Sequence, residues 1–243
     1  MHYFVSDIHL GSGSVSEQRR VERLFLDFLT KIEGDAESLY LVGDIFDFWF
    51  EYKRVVPRGF VRVLGRLAEL SDKGVKIVML TGNHDMWVGD YLTNECGIEL
   101  YTKPQTIIVA DKTLFVAHGD NMNIKGQPVL RAMNAMFRSK CLRKIASWLI
   151  HPDCFMRFGQ WWSGKSRKSH NTDYGSEVLE HLVDYAVKYG KEHEVDYFVF
   201  GHLHYAADIK TTERILFMGD WHSQPSYVVL DNNGEIELKI IES

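Results

Sequence analysis

The sequence predicts an α/β protein in which two packed sheets are flanked by helices. Two features carry that prediction. The first half alternates as β-α-β-α-β, a rhythm that implies parallel strands joined by right-handed crossovers. The second half is rich in short apolar runs of strand length. A third feature says where chemistry would sit. Five stretches bearing acids, amides and histidines fall where predicted strands end, and in open α/β sheets ligands bind at such ends.

Tyr3-Phe4-Val5 is the first expected strand, followed by a Gly/Ser loop from Gly11 to Ser16. From Glu17 onward Val21, Leu24, Phe25, Phe28, Leu29 and Ile32 recur at helical spacing, and Gly34-Asp35 is placed to end that helix. Leu39 to Val42 is the second strand and runs into Gly43-Asp44. Pro57 to Lys73 reads as a helix with Phe60, Val63, Leu64, Leu67 and Leu70 inward. Val75 to Leu80 is the third strand and leads into Thr81-Gly82-Asn83-His84-Asp85. The rhythm then changes. Thr106 to Ala110 and Thr113 to Ala117 flank Asp111-Lys112, a hairpin turn, and the second run delivers His118. Pro128 to Ile150 and Ser176 to Tyr189 read as helices, and Tyr197 to Phe200 is a strand that delivers Gly201-His202. Strands over Arg214 to Met218, Ser226 to Leu230 and Glu235 to Ile241 follow, the last two joined by Asn232-Asn233-Gly234. The length suits one domain, 1–243, with an insertion at about 121–175.

With 45% hydrophobic and 25% charged residues, the composition is that of a soluble globular protein. No apolar run approaches the roughly 20 residues of a transmembrane helix. Met1-His2-Tyr3-Phe4-Val5 enters a strand without a basic leader, so no signal peptide is expected. Cys96, Cys141 and Cys154 are odd in number and widely spaced, which favours neither a disulfide framework nor a thiolate zinc site and suits a reducing cytosol. A net charge of −5 does not suggest a nucleic-acid binder. The charge is uneven, however. Asn121 to Gly175 holds ten lysines and arginines against Asp153 and Asp173, a local balance of +8.

Asp7, His9, Asp44, Asn83, His118, His202 and His204 all fall at or just beyond strand ends. Each offers oxygen or imidazole nitrogen, and no thiolate is among them. Such donors suit Mn²⁺, Fe or Zn²⁺ better than Mg²⁺. Seven ligands are too many for one tetrahedral ion but suit two ions that share a carboxylate. Two metals about 3.5–4 Å apart clamp the attacking and leaving oxygens of a phosphoryl displacement. Residues i and i+2 of a strand point to one face, so Asp7 with His9, and His202 with His204, are expected to converge if the extended backbone persists. Taken singly, each of these residues reads as an ordinary turn former or cap. Seven of them on five strand ends do not.

The ordered motifs Asp7-Ile8-His9, Gly43-Asp44-Ile45-Phe46-Asp47, Gly82-Asn83-His84-Asp85, His118-Gly119-Asp120 and Gly201-His202-Leu203-His204 resemble the calcineurin-like metallophosphoesterase superfamily. The resemblance spans Phe4 to His204. It implies a four-layer α/β/β/α sandwich with a dinuclear centre. On that pattern Asp7, His9 and His204 hold one metal, Asp44 bridges, and Asn83, His118 and His202 complete the second. His84 would face the phosphate as acid or charge stabiliser, with Asp85 orienting its ring. Asp47 would be hydrogen-bonded to a ligand imidazole.

The insertion narrows the resemblance. Ser6 to Gly11, Gly43 to Trp49 and Trp162-Ser163-Gly164-Lys165-Ser166-Arg167 are similar to the UDP-2,3-diacylglucosamine diphosphatases of lipid A biosynthesis. That family implies hydrolysis of the substrate's pyrophosphate to UMP and a diacylglucosamine 1-phosphate, in the cytoplasm at the inner membrane. Where its well-known members carry arginine, this chain carries His84, the residue general to the superfamily. Asp120, Asn121, Arg157, Lys165, Arg167, Lys168 and Asn171 are expected to contact phosphate or sugar nucleotide. Met133, Met136, Phe137, Trp148, Phe158 and Trp161 could line acyl pockets. A basic helical segment with Trp and Phe also suits an anionic membrane surface. Two other readings stand beside this one: a phosphodiesterase or phosphatase of different substrate on the same core, favoured by His84, and a non-enzymatic scaffold, which would be expected to have lost ligands.

Overall fold

The computed structural model describes residues 1–122, 136, 138–169 and 174–242, with side chains described at all of these but 140, 160, 165–169 and 174–177. A six-stranded sheet holds β1 (His2–Val5), β2 (Ser38–Val42), β3 (Lys76–Leu80), β4 (Glu99–Tyr101), β10 (Ser226–Leu230) and β11 (Ile236–Ile240), in the order β11-β10-β1-β2-β3-β4. β1, β2, β3 and β4 run parallel, as the alternating first half predicts. A five-stranded sheet holds β5 (Gln105–Val109), β6 (Lys112–Ala117), β7 (Tyr197–Phe200), β8 (Ala207–Lys210) and β9 (Arg214–Phe217), in the order β5-β6-β7-β9-β8. The helices are α1 (Val15–Ile32), α2 (Val61–Asp72), α3 (Tyr91–Cys96), α4 (Lys140–Leu149), α5 (Pro152–Ser169) and α6 (Tyr174–Glu192).

The pleat sorts the strand side chains into three apolar layers. Tyr3, Val5, Leu39, Leu41, Ile77 and Met79 face outward onto Val21, Phe25 and Leu29 of α1 and Val63 and Leu67 of α2. Their strand neighbours Phe4, Tyr40, Val42, Val78 and Leu80 face the second sheet, meeting Leu114, Val116, Val199 and Leu216. On the far side of that sheet Phe115, Phe198, Phe200 and Phe217 pack on Leu182 and Ala186 of α6. The result is the expected α/β/β/α sandwich. Strands β1, β2, β3, β7 and β10 are buried along nearly their whole length because each face meets another layer.

Several boundaries differ from the sequence reading, each for a backbone reason. The β5–β6 turn is Ala110-Asp111, not Asp111-Lys112, since Val109 pairs with Lys112. Both turn residues have positive φ, 48° and 57°, the left-handed pair that a two-residue hairpin needs. α2 starts at Val61 rather than Pro57, because Gly59 and Phe60 are left-handed and cannot continue a helix. α1 ends without a left-handed glycine, as Gly34 is not in that region. Within the insertion, α4 begins at Lys140, where Ser139 caps it by accepting from Leu142 N–H; the expected helical residues 128–135 and 137 lie outside the described residues. The short edge elements β4, β8 and α3 carry too little apolar pattern to be read from sequence. β8 shows why: Ala207 and Ile209 alternate with exposed Asp208 and Lys210 over only four residues.

Candidate metal centre

All seven ligand candidates gather at one end of the sandwich, where loops leave both sheets. The pleat does not bring them together. β1 ends at Val5, and Asp7, His9, Asp44, His202 and His204 all have positive φ, between 48° and 72°. Non-glycine residues rarely adopt that conformation, and it persists only where surrounding structure holds it. Here the holding bonds are visible. Past their strand ends the first two loops go on pairing: Asp7 N–H donates to Gly43 O, His9 N–H to Asp44 O and Leu10 N–H to Ile45 O, at 2.9–3.1 Å. Trp221 N–H donates to Asp7 O and Gly201 N–H to His118 O, which ties in the second sheet.

Asp44 lies at the middle and is buried. Its Oδ1 accepts from His84 N–H at 2.8 Å. Its Oδ2 stands 3.3 Å from His118 Nε2, 3.9 Å from His84 Nε2 and 4.0 Å from His9 Nε2. Burial alone would push this carboxyl up, but His118, His84 and His9 outweigh it and hold the group well below its ordinary value. The same contacts act in reverse on His118: burial would lower it, yet Asp44 raises it to about 10.

His118 Nδ1–H donates to the Val42 carbonyl at 3.0 Å, which fixes the tautomer and turns Nε2 to the centre. That Nε2 lies 3.2 Å from Asn83 Oδ1. His204 Nε2 lies 3.1 Å from His9 Nε2 and 3.4 Å from Asp7 Oδ1. Asp7 Oδ2 is saturated, accepting from Ser6 Oγ at 2.5 Å and His202 N–H at 2.9 Å. Asp7 Oδ1 is buried with no hydrogen bond and faces those imidazoles. A buried, orphaned carboxylate oxygen beside converging ring nitrogens is what a cation would satisfy. Among the described residues three overlapping sets have donor atoms close enough for one ion: Asp7, His9, His204; His9, Asp44, His84; and Asp7, Asp44, His118. The donors fit divalent metal.

Two glycines leave the room this needs. A Cβ on Gly82 would lie 2.1 Å from Asp44 Oδ1, and one on Gly43 would lie 2.5 Å from His118 Nδ1.

Two expected roles change. Asp85 does not orient His84. Its carboxylate accepts from Gly82 N–H and Ile45 N–H at 2.8 Å each, bracing the second and third loops. Burial and then Asp44 push its carboxyl up to about 6, against those two donors. The His84 ring is held instead by the main chain of Asp47, whose carbonyl accepts from Nδ1–H at 2.8 Å. The Asp47 carboxylate stands 3.8 Å from His9 Nδ1, longer than a hydrogen bond, and accepts from Ser163 Oγ at 2.6 Å. Asp47 thus links the centre to the insertion.

The insertion is docked over this end. Phe155 of α5 lies against Phe50, Trp87 and Phe48, with ring centroids 4.2, 5.6 and 5.9 Å away. Gly159 passes so close to Phe48 that a Cβ there would meet the ring at 2.3 Å. Arg143 donates to Val88 O and Arg138 pairs with Asp120 at 2.6 Å, and Asp120 also accepts from Asn121 Nδ2. Asp120 and Asn121 therefore sit at the base of the insertion. Arg157 is exposed on α5. Lys165, Arg167 and Lys168 belong to the same helix, and only its backbone is described there; Asn171 lies outside the described residues. Of the expected acyl-pocket residues, Trp148, Trp161, Met136 and Phe158 are exposed, and Met133 and Phe137 lie outside the described residues. The inward residues Phe155, Gly159 and Ser163 were missed. Their only signal is spacing, since positions 155, 159 and 163 recur every four residues on one helix face.

The family model for calcineurin-like phosphoesterases matches residues 3–206. The chain is a calcineurin-like phosphoesterase. Among its relatives, this phosphoesterase is 37% identical to the UDP-2,3-diacylglucosamine hydrolase of Porphyromonas gingivalis, an alignment covering 94% of this chain and 93% of the relative. It is 28% identical to the protein of that name from Haemophilus influenzae, over 96% of each chain. With that of Histophilus somni it shares 26% identity over 96% of this chain and 97% of the relative.

Proposed function

We propose that the phosphoesterase hydrolyses the pyrophosphate of UDP-2,3-diacylglucosamine, releasing UMP and 2,3-diacylglucosamine 1-phosphate, as a step of lipid A biosynthesis. The observation that carries this reading is the pairing of two features at one place. Asp44 Oδ2 is ringed by three imidazoles, and an aromatic insertion is fastened over them through Ser163 and Asp47. Relatives matched over nearly the full length bear the same activity in their names.

Asp7, His9 and His204 would hold one divalent ion, Asn83, His118 and His202 the other, and Asp44 would bridge them. The ions would be Mn²⁺, with Fe or Zn²⁺ as alternatives the same donors accept. A bound pair supplies charge neutralisation to the phosphoryl oxygens and an activated water. The chain's own residues do the rest. His84, fixed through Nδ1, presents Nε2 to the centre, where a proton on that atom can stabilise or protonate the leaving phosphate oxygen. Asp85 keeps the loops bearing Asp44 and His84 in register. The seam of Phe48, Phe50, Trp87 and Phe155 gives an acyl chain an apolar path at the edge of the centre. Asp120, Asn121 and Arg157, with Lys165, Arg167, Lys168 and Asn171 further along the insertion in sequence, would meet the polar and charged parts of the substrate.

The same insertion suits docking on the inner face of the cytoplasmic membrane, with the protein otherwise cytoplasmic. Trp148 is 84% exposed, Leu149 65% and Trp161 60%, with Lys144 and Arg157 nearby in sequence. Apolar rings among cations match an anionic lipid surface. Among the described residues no helix is long and apolar enough to cross a membrane.

The test is UMP release from UDP-2,3-diacylglucosamine by purified, Mn²⁺-loaded protein. Release of UMP that stops on chelation is expected. No release, with brisk turnover of a simple phosphodiester, would return the assignment to a phosphoesterase of different substrate.

A further inference from the structure

A cavity of about 370 Å³ adjoins the metal centre on the side of α1 and has no role in the account above. Leu10 and Gly11, directly after His9, line it together with Asp47. Arg19 of α1, Arg58, Phe48 and Phe60 line it as well. We infer that this cavity holds the nucleotide half of the substrate, a pyrimidine nucleoside monophosphate, with Arg19 and Arg58 on its phosphate and ribose and Phe60 against its base. The inference rests on the proposed hydrolysis of a nucleotide diphosphate sugar.

Four observations support it. First, the position follows from the substrate. A pyrophosphate held at the centre sends its two substituents in different directions. The apolar one has the seam beneath α5, and Phe48 belongs to both seam and cavity, so the cavity begins where the seam stops. Second, the charges fit. Among the lining groups Arg62 pairs with Glu22 at 3.5 Å, and Asp47 is bonded to Ser163. Arg19 and Arg58 make no side-chain hydrogen bond or ion pair among the described residues, which leaves two guanidiniums for an anion. Third, Phe60 is a bulky residue held at φ 60°, supported by Phe46 at 5.0 Å and Trp49 at 6.3 Å. A supported, half-buried ring at a cavity wall is a stacking platform for a planar base. Fourth, the volume lies in the range of small-ligand sites.

The test is calorimetric titration of Mn²⁺-loaded protein with UMP and, in parallel, inorganic phosphate. It uses wild type, the Arg19→Ala/Arg58→Ala double variant and Arg58→Lys. Both arginines are exposed, so the variants are expected to fold, and the unfolding midpoint checks it. UMP affinity should fall about tenfold for each guanidinium lost. Lysine at 58 should recover part of the loss, and phosphate affinity should fall less than UMP affinity, because the ribose contact is lost for UMP alone. Unchanged UMP affinity in the double variant, or equal losses for UMP and phosphate, would overturn the nucleotide assignment. Wild-type turnover of UDP-2,3-diacylglucosamine, measured on the same preparation, tests the reaction separately. Arginine-dependent UMP binding without turnover would keep the cavity as a nucleotide site and remove the proposed reaction. Turnover with arginine-independent UMP binding would do the opposite.

Discussion

The metal centre and the insertion are both needed for the proposed reaction, and they are built in opposite ways. The centre is held by its backbone. Its ligands ride on loops that go on exchanging main-chain hydrogen bonds after their strands end, and five of them are fixed in left-handed conformations. Among the described residues the insertion is held by side chains: the Phe155 ring, the Ser163 and Tyr52 hydroxyls and the Arg138 and Arg143 guanidiniums. Backbone-held sites tolerate almost no change of geometry, because a shift of φ at one ligand moves its neighbours too. Side-chain latches can release one at a time. A centre fixed by its backbone beneath a cover fixed by side chains would suit a substrate whose lipid end enters and leaves while its phosphates are held in place.

The comparison can be broken most decisively at Asp44. Asp44→Ala removes the acceptor for His84 N–H and the carboxylate shared by three imidazoles. It should abolish turnover and lower metal content, read by elemental analysis. Metal retained at the wild-type level would show that the sets built on Asp7 and His118 suffice without a bridge. Gly82→Ala tests the backbone claim without replacing a candidate ligand. Its Cβ would fall on Asp44 Oδ1, so turnover should be lost nearly as fully.

His84→Ala should come next. Metal should stay, and kcat should fall by about 10²–10⁴, the usual contribution of a positioned acid. A wild-type rate would remove His84 from the chemistry.

Ser163→Ala probes the cover. It deletes a bond to a buried carboxylate, worth about 1.5–3 kcal/mol, and leaves the centre intact. The expected sign is a raised KM for the diacylated substrate, with metal content unchanged. A fall in metal content instead would mean that Asp47 depends on Ser163 to hold His9.

The smallest effect lies on the far surface, where Arg66 and Lys73 hold the Glu33 carboxyl down to about 2. A depressed carboxyl adds stability that is complete above the ordinary glutamate range and is lost as pH falls toward about 2. Glu33 is solvent-screened, so Glu33→Gln should lower the unfolding midpoint only slightly at pH 7, and not at all near pH 2. An equal decrease at both pH values would assign the effect to packing.

Much of the centre was legible before any coordinates because its ligands are chemically unusual where they stand. An acid or histidine just past an apolar strand has few structural reasons to be there, and five such places in order leave little room for accident. The alternation of Tyr3, Phe4 and Val5, and its repeats along β2 and β3, likewise announced buried strands. What could not be read from linear spacing was how those residues meet. Strand periodicity wrongly suggested that Asp7 and His9 converge through the pleat. They converge through left-handed turns that bonds with Gly43, Asp44 and Trp221 help to hold, and those partners are remote in sequence. Asp85 showed the same limit, since adjacency to His84 suggested a partner while the fold turned its carboxylate to Gly82 and Ile45. Composition marked the insertion as basic and aromatic. Which of its rings face inward was decided by docking, because Phe155 and Trp161 look alike in a sequence and differ only in what lies opposite them.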